Sequence, residues 1–331
     1  MKGDNMKILV IGGAGFIGSH LAENLLSNGH KIVVIDNYET GSYSNLRGIS
    51  DGITIYDMDI SNYLSVKSVF KHFKPNIVIH TAASYKDPND WIRDTQTNCT
   101  GTAVVCELSK EIGVERLIYF QTSLCYGIDP YKNFEDIRGC PLLIDHPVNP
   151  APNSYAITKT CAEQIIAMSG IPFISLRLAN IYGPRNLTGA IPAFYKKLSN
   201  GEVATVAQTR RDFVYVSDLV NLVIRIIQGE GSRNYYHVST GRDYPIIDIF
   251  HTMTELMGIH EKYPFPDQRL CRVIEKKAED AETILLDSSE THRDFPGWIA
   301  DTPIREGLKS AIEWYKEHPV TQTYTHLKEM K

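Results

Sequence analysis

Along the first 178 residues, short apolar runs alternate with segments whose apolar positions recur every three to four residues. The runs KILVI, KIVVID, GITIYDMDI, NIVIHTAA, RLIYFQTS and PFISLRLAN have the length and β-branched content of buried strands. Between them, SHLAENLLSNG, SVKSVFKHFK, NCTGTAVVCELSKEIG and the stretch around YAITK carry helical spacing. This βαβ succession predicts an α/β fold: a doubly wound parallel sheet with helices on both faces and ligands at the carboxyl ends of its strands. Beyond Asn180 the pattern is less regular, with Pro192, a basic pair, Gly201 and a loop-rich stretch from Tyr263 to Glu282. A smaller, interleaved C-terminal substrate domain is expected there. The predicted division is 1–178 for the parallel-sheet domain, with 211–240 returning to it, and 179–210 plus 241–331 for the smaller one. The returning pieces are roughly Arg211 to Gln228 and Asn234 to Thr240.

The turn after the first strand reads GGAGFIG, with Gly12, Gly15 and Gly18 spaced as GxxGxxG and Phe16 and Ile17 between the last two. Glycines at a strand-to-helix turn permit a tight reversal, close backbone approach to a pyrophosphate, and close packing of helix on strand. The second strand ends on Asp36, 18 residues after Gly18, near the ~20 expected for an acid that binds an adenosine ribose. A carboxylate there accepts from both ribose hydroxyls and repels a 2′-phosphate, so NAD is the expected cofactor rather than NADP.

Tyr155 and Lys159, in NSYAITKT, are four residues apart on a predicted helix and so share a face. A phenol has an ordinary pKa of about 10, and a cation held beside it favours the phenolate. The expectation is that Lys159 lowers Tyr155 so that it takes a hydroxyl proton while the cofactor takes a hydride. Asp36, Asp59, Ala82 with Ala83, and Thr122 fall at the ends of four predicted strands.

Composition narrows the field. The chain has 331 residues, 43% of them hydrophobic, and a formal net charge of -5, which offers no general attraction to nucleic acid. The basic pairs Lys196-Lys197, Arg210-Arg211 and Lys276-Lys277 read as solvated faces or local phosphate contacts. No signal sequence precedes the first strand, and no apolar run approaches the ~20 residues needed to span a bilayer, so no membrane span is expected. Cys99, Cys106, Cys125, Cys140, Cys161 and Cys271 form no CxxC pair, which argues for reduced thiols in a cytoplasmic protein and against structural zinc.

With these motifs in one order, the chain resembles the extended short-chain dehydrogenases/reductases of the nucleotide-sugar epimerase/dehydratase family over nearly its whole length. The resemblance implies a Rossmann fold, an NAD cofactor, a nucleotide-diphosphate sugar substrate and a homodimer. It also implies pyrophosphate contact at Gly12, Gly15, Phe16, Ile17 and Gly18, ribose contact at Asp36 and Asn37, and adenine contact at Asp59 and Ile60. Ala82 and Ala83, in HTAAS, match the strand end under the nicotinamide ribose. In QTSLCYG, Thr122 stands four residues before the tyrosine of the YG pair, where the family carries a catalytic Ser or Thr. Asn180, in LRLANIYGPR, matches the asparagine that holds the substrate diphosphate, and Arg211, in RDFVYVSD, matches a nucleotide-contacting arginine. The implied catalytic set is Thr122, Tyr155 and Lys159, with Tyr155 and Lys159 also touching the cofactor and Thr122 the substrate.

Departures from the family pattern bear on the reaction. Its 4,6-dehydratases carry Asp-Glu after the catalytic threonine and its decarboxylases a Glu at the second position, whereas this chain has Ser123-Leu124. The NADP-linked epimerase-reductases place a cysteine where Leu124 stands. A 4-epimerase acting through a transient 4-keto sugar is therefore expected, with a dehydrogenase or dehydratase that releases the keto sugar, and a non-catalytic NAD-sensing protein, as alternatives. KAED puts Lys277 at the position of a phosphate-binding arginine and Glu279 at that of a glycine, so the diphosphate contact loses a bidentate fork. Where galactose epimerases carry a lysine, this chain has Tyr85, with Lys86 one residue further as a candidate substrate contact. Ile284 corresponds to the position that gates the sugar.

Overall fold

A computed structural model describes residues 5–132, 139–259, 269–278 and 280–325. Seven strands form the central sheet: β1 (Lys7–Ile11), β2 (Lys31–Asp36), β3 (Thr54–Asp57), β4 (Ile77–His80), β5 (Arg116–Thr122), β6 (Phe173–Leu178) and, from far along the chain, β11 (Tyr235–Val238). Their order is β11-β6-β5-β4-β1-β2-β3, and every pairing is parallel. Alternation within each strand decides the layering. Ile8, Val10 and Ile118 face one apolar layer, built with Leu21 and Leu25 of α1 (Phe16–Ser27) and Leu219, Leu222 and Val223 of α7 (Val216–Ile227). Leu9, Ile11 and Leu117 face the other, built with α2 (Tyr63–Phe73), α4 (Thr102–Ile112) and α5 (Ser154–Ser169).

The expected helix through Asn98 begins earlier and is not uniform. A short α3 (Trp91–Asp94) runs into a π-helical turn, Thr95–Gly101, before α4. The extra residue per turn aims Asn98 inward, where it is buried. The strand expected to run through Ile60 ends at Asp57, so Asp59 and Ile60 lie in the loop beyond it.

The remaining elements are β7 (Asn180–Tyr182), α6 (Ala190–Ser199), β8 (Ala204–Ala207), β9 (Arg210–Arg211), β10 (Phe213–Tyr215), β12 (Tyr244–Pro245), α8 (Ile246–Leu256), β13 (Cys271–Ile274), α9 (Ser289–Asp294) and α10 (Ile304–Glu317). β7 pairs with β10, β9 with β12 and β8 with β13, as three two-stranded ribbons. Of the stretch 211–240, then, β11 joins the sheet and α7 packs on it, whereas β9 and β10 do not enter it. A third apolar cluster, around Phe194, Phe250, Met253, Leu308 and Tyr315, holds α6, α8 and α10 together. Among the described residues no helix is long and apolar enough to cross a membrane, and none of the six cysteines is in a disulfide.

Candidate active site

The site lies at the carboxyl ends of the sheet strands and begins at the glycine turn. Gly12 has φ +79°, and a Cβ built there would stand 2.5 Å from the backbone N of Ala82. A Cβ on Gly18 would stand 2.2 Å from the carbonyl of Gly12. Only glycine lets α1 start so close to β1 and β4. Gly15 is the N-cap of α1 and supplies no side-chain cap, and the first turn carries no acidic residue. The free amides at that positive helix end fit a pyrophosphate.

Asp36 ends β2 almost fully buried, accepting from the amide of Ala14 at 2.9 Å and from that of Tyr38 at 2.8 Å. Burial pushes its carboxyl above the ordinary value, against the pull of these amides. The donors fix the carboxylate beside the glycine turn with lone pairs to spare for a ribose diol. Asn37 donates to Asp59 Oδ2 at 3.4 Å. Desolvation raises the Asp59 carboxyl, but hydrogen bonds from Ser61 and Arg93 outweigh it and hold the group down at about 2. Arg93, on α3, bridges Asp59 Oδ2 at 2.6 Å and Glu39 Oε2 at 2.6 Å, tying together the loops that follow β2 and β3. Ile60 is buried under the π turn, where a Cβ on Gly101 would meet its side chain at 2.5 Å. No spacing rule pointed to Arg93, because its partners lie 34 and 54 residues away.

At the next strand end, Ala82 and Ala83 lead into Ser84, which is locked in place: its amide donates to Asn98 Oδ1 at 2.8 Å and its hydroxyl to Asp94 at 2.8 Å. Asn98 Nδ2 returns to the Ser84 carbonyl at 3.1 Å and reaches Thr158 Oγ1 at 2.9 Å. One buried amide thus joins the loop after β4 to α5 at the residue before Lys159.

Asn153 caps α5 by accepting from the amide of Ala156, and the helix carries Tyr155 and Lys159 toward the sheet. Tyr155 is half-buried, whereas Lys159 is 2% exposed. Lys159 Nζ lies over the ring of Tyr119, 4.0 Å from its centre, and the Lys159 carbonyl accepts from Tyr119 Oη at 3.0 Å and Gln121 Nε2 at 3.2 Å. Without cofactor, burial dominates the electrostatics here. Burial pushes the Tyr155 phenol above its ordinary value, and Tyr85 and Asp94 push the same way. Burial also brings the Lys159 ammonium down to about 7, against the support of Glu163. In the protein alone, burial is the largest influence on both groups.

Thr122 ends β5 and caps the following turn, its Oγ1 accepting from the amide of Leu124 at 3.2 Å. A hydroxyl that accepts there keeps its own proton for a substrate oxygen. Ser123 is buried and Leu124 packs against an apolar cluster that includes Tyr126, Leu142 and Leu286, so neither presents an ionisable group beside Thr122.

Substrate-side candidates fall on two patches. Asn180 is exposed at the start of β7, its amide donating to the Asp212 carbonyl at 2.9 Å. Arg211 reaches the turn that carries Lys277: it pairs with Asp280 at 2.5 Å and donates to the Ala281 carbonyl at 2.9 Å, while the Asp280 amide donates to the Lys277 carbonyl. Glu279 lies outside the described residues. Lys86 is exposed, its Nζ 3.5 Å from the Glu39 carbonyl. Ile284 is buried with Tyr131, Leu142 and Leu286, which makes it a packing residue of the fourth apolar cluster.

A tyrosine and lysine one turn apart on α5, a threonine at the end of β5 and a glycine-cradled helix together mark an extended short-chain dehydrogenase/reductase. The sequence model of the NAD dependent epimerase/dehydratase family matches residues 8–246, and the chain belongs to that family. It is similar to WbmH of Bordetella bronchiseptica, whose crystal structure in complex with NAD+ superposes with a TM-score of 0.86 at 40% identity, covering 95% of this chain and 99% of that one. The UDP-glucose 4-epimerase of Mycolicibacterium smegmatis is 27% identical over 329 residues, covering 94% of this chain and 99% of that protein. The dTDP-D-glucose 4,6-dehydratase of Bos taurus matches nearly as well, 26% identical over 324 residues and covering 94% of this chain and 89% of that protein. Epimerases and dehydratases thus stand at similar distance.

Proposed function

We propose that this protein is an NAD-dependent nucleotide-sugar 4-epimerase working through a transient 4-keto sugar. The observation that carries this reading is the pair Ser123-Leu124 after Thr122, which leaves no acid or base there for expelling water from the sugar. NAD, when bound, supplies a reversible hydride acceptor whose oxidised ring carries a positive charge. Tyr155 takes the proton of the C4 hydroxyl and later returns it. Lys159 in its charged form lowers the cost of the phenolate and, with Asp36 and the glycine turn, holds the cofactor. Thr122 donates to the C4 oxygen as alkoxide and as ketone. Asn180, Arg211 and Lys277 take the diphosphate and nucleotide, and Lys86, on the other patch, is a further substrate contact. Residues 1–178 with 211–240 serve as the NAD-binding domain, and 179–210 with 241–331 as the substrate domain.

The names of the relatives, one a UDP-glucose enzyme and the other a dTDP-glucose enzyme, support a sugar linked through a nucleoside diphosphate. Exposed Ile157 and Met168 on α5, with Trp91 and Ile92 on α3, support a homodimer, and six cysteines outside any disulfide support a cytoplasmic location.

The test is a panel of UDP-, GDP-, dTDP- and CDP-sugars with products identified by NMR, using substrate deuterated at C4. The expected product is the C4 epimer with its label retained and no added reductant required. Release of a 4-keto sugar with accumulation of NADH favours the dehydrogenase, and a 4-keto-6-deoxy product rejects the reading of Leu124.

A further inference from the structure

Tyr85 lies between two other tyrosines. Its ring meets that of Tyr155 edge-on, with centroids 6.1 Å apart and planes at 77°, and meets that of Tyr324 edge-on at 6.3 Å and 79°. The three side chains come from three distant parts of the chain: the loop after β4, the first turn of α5, and a segment beyond α10. Tyr85 directly follows Ser84, whose hydrogen bonds to Asn98 and Asp94 fix where the loop leaves the sheet. Its neighbour Lys86 is turned to the Glu39 carbonyl, so Tyr85 is the residue of this loop that faces Tyr155.

Tyr324 is held as firmly. Its amide donates to the Leu187 carbonyl at 2.9 Å, its carbonyl accepts from Gly189 at 3.2 Å, and Thr188 and Tyr324 form a parallel bridge. Three residues earlier, the Thr321 carbonyl accepts from Lys196 Nζ of α6 at 2.7 Å, and Val320 packs on the third apolar cluster. The segment therefore crosses the entry to α6 and brings an aromatic ring over the loop that carries Tyr85. Both Tyr85 and Tyr324 are half-buried, so each keeps a face open beside the tyrosine whose hydroxyl does the proposed chemistry.

We propose that Tyr85 and Tyr324 form an aromatic wall of the sugar site, against which the apolar C–H face of the glycosyl ring packs while its C4 hydroxyl meets Tyr155. A tyrosine suits this use because it offers a large rigid apolar surface with a polar tip and few rotatable bonds. The wall replaces a charged contact with an apolar one, so it selects for a hexopyranose with an uncharged, C–H-rich face and against a carboxylated one. The C-terminal segment is then part of the substrate site, although Tyr324 lies more than 100 residues along the chain from every other residue proposed for the site except Lys277.

This inference rests on the proposed nucleotide-sugar function, and the test separates the two. Dissociation constants are measured by calorimetry on the NAD-loaded protein for two probes: the nucleotide sugar that the parent turns over best in the panel, and the matching nucleoside diphosphate without sugar. Tyr85→Ala and Tyr324→Ala should each weaken the nucleotide sugar by about tenfold or more, while the free diphosphate stays within about twofold. Tyr85→Phe and Tyr324→Phe should restore the sugar-specific part, because the ring and not the hydroxyl makes the wall. Retained NAD reports that each variant is folded, and Tyr85→Ala carries the test alone if Tyr324→Ala unseats the segment. Equal weakening of both probes, or of neither, overturns the wall while leaving the epimerase reading in place. A parent that binds and turns over no nucleotide sugar overturns the function itself, and the wall with it.

Discussion

The ammonium of Lys159 sits 4.0 Å from the centre of the Tyr119 ring, in a pocket that desolvates it almost completely. An electron-rich ring face offsets part of that cost, yet the group still falls from 10.5 to about 7. Below about pH 7 Lys159 is charged in both the folded and the unfolded chain, and the burial penalty is felt in full. Between about 7 and 10.5 the unfolded chain binds the extra proton, so stability rises with pH. Cofactor-free protein should gain about 2 kcal/mol from this residue between pH 7 and pH 9. Urea midpoints at the two values, compared with those of Lys159→Met, measure it; an equal rise in the variant would show that the gain arises elsewhere.

Tyr155→Phe should keep the fold and NAD while losing turnover by a factor of about 10² to 10⁴, since only the ionisable oxygen is removed. Steady-state rates on the best nucleotide sugar decide this. A phenylalanine variant within a few-fold of the parent would remove Tyr155 from the chemistry.

Asp36 should make NAD(H) bind more tightly than NADP(H). Its carboxylate is pinned by Ala14 and Tyr38 and cannot swing away from a 2′-phosphate without giving up both amides. Titration calorimetry with both cofactors tests this, and Asp36→Asn should narrow the ratio by removing the charge. Equal affinities in the parent would place Asp36 away from the ribose.

Glu163 and Arg177 form a buried pair at 2.9 Å, one helical turn beyond Lys159, with Ser175 donating to the same carboxylate at 2.5 Å and Tyr126 accepting from the guanidinium at 2.8 Å. Removing one partner leaves the other charge buried, and Glu163→Ala should cost about 3–5 kcal/mol of stability. Urea unfolding measures it. A loss below 1 kcal/mol would mean that water replaces the carboxylate.

Local patterns carried much of this structure. KILVI, the glycine turn and KIVVID specify β1, α1 and β2 because both faces of a parallel strand are covered and the turn demands glycine. Tyr155 and Lys159 were legible from a single helical interval. Three features were not, since each depends on partners brought together only by the fold: the bridge from Arg93 to Glu39 and Asp59, the insertion of Asn98 between Ser84 and Thr158, and the approach of Tyr324 to Tyr85. The π turn that aims Asn98 inward leaves no mark in TQTNCTG, whose last four residues read as the start of an ordinary helix. The net upward shift of Tyr155 in the protein without cofactor was not legible for a related reason: spacing reports which groups are neighbours but not how much water surrounds them.

The edge position of β11 bears on how the chain is made. While residues up to 178 are emerging from the ribosome, β6 has only β5 beside it, and its other edge stays unpaired until Tyr235–Val238 have been synthesised. α7, which covers one face of the sheet, also arrives late. A truncation after Leu178 should therefore aggregate as it is translated, and chaperones that hold nascent chains should be needed longest over that interval.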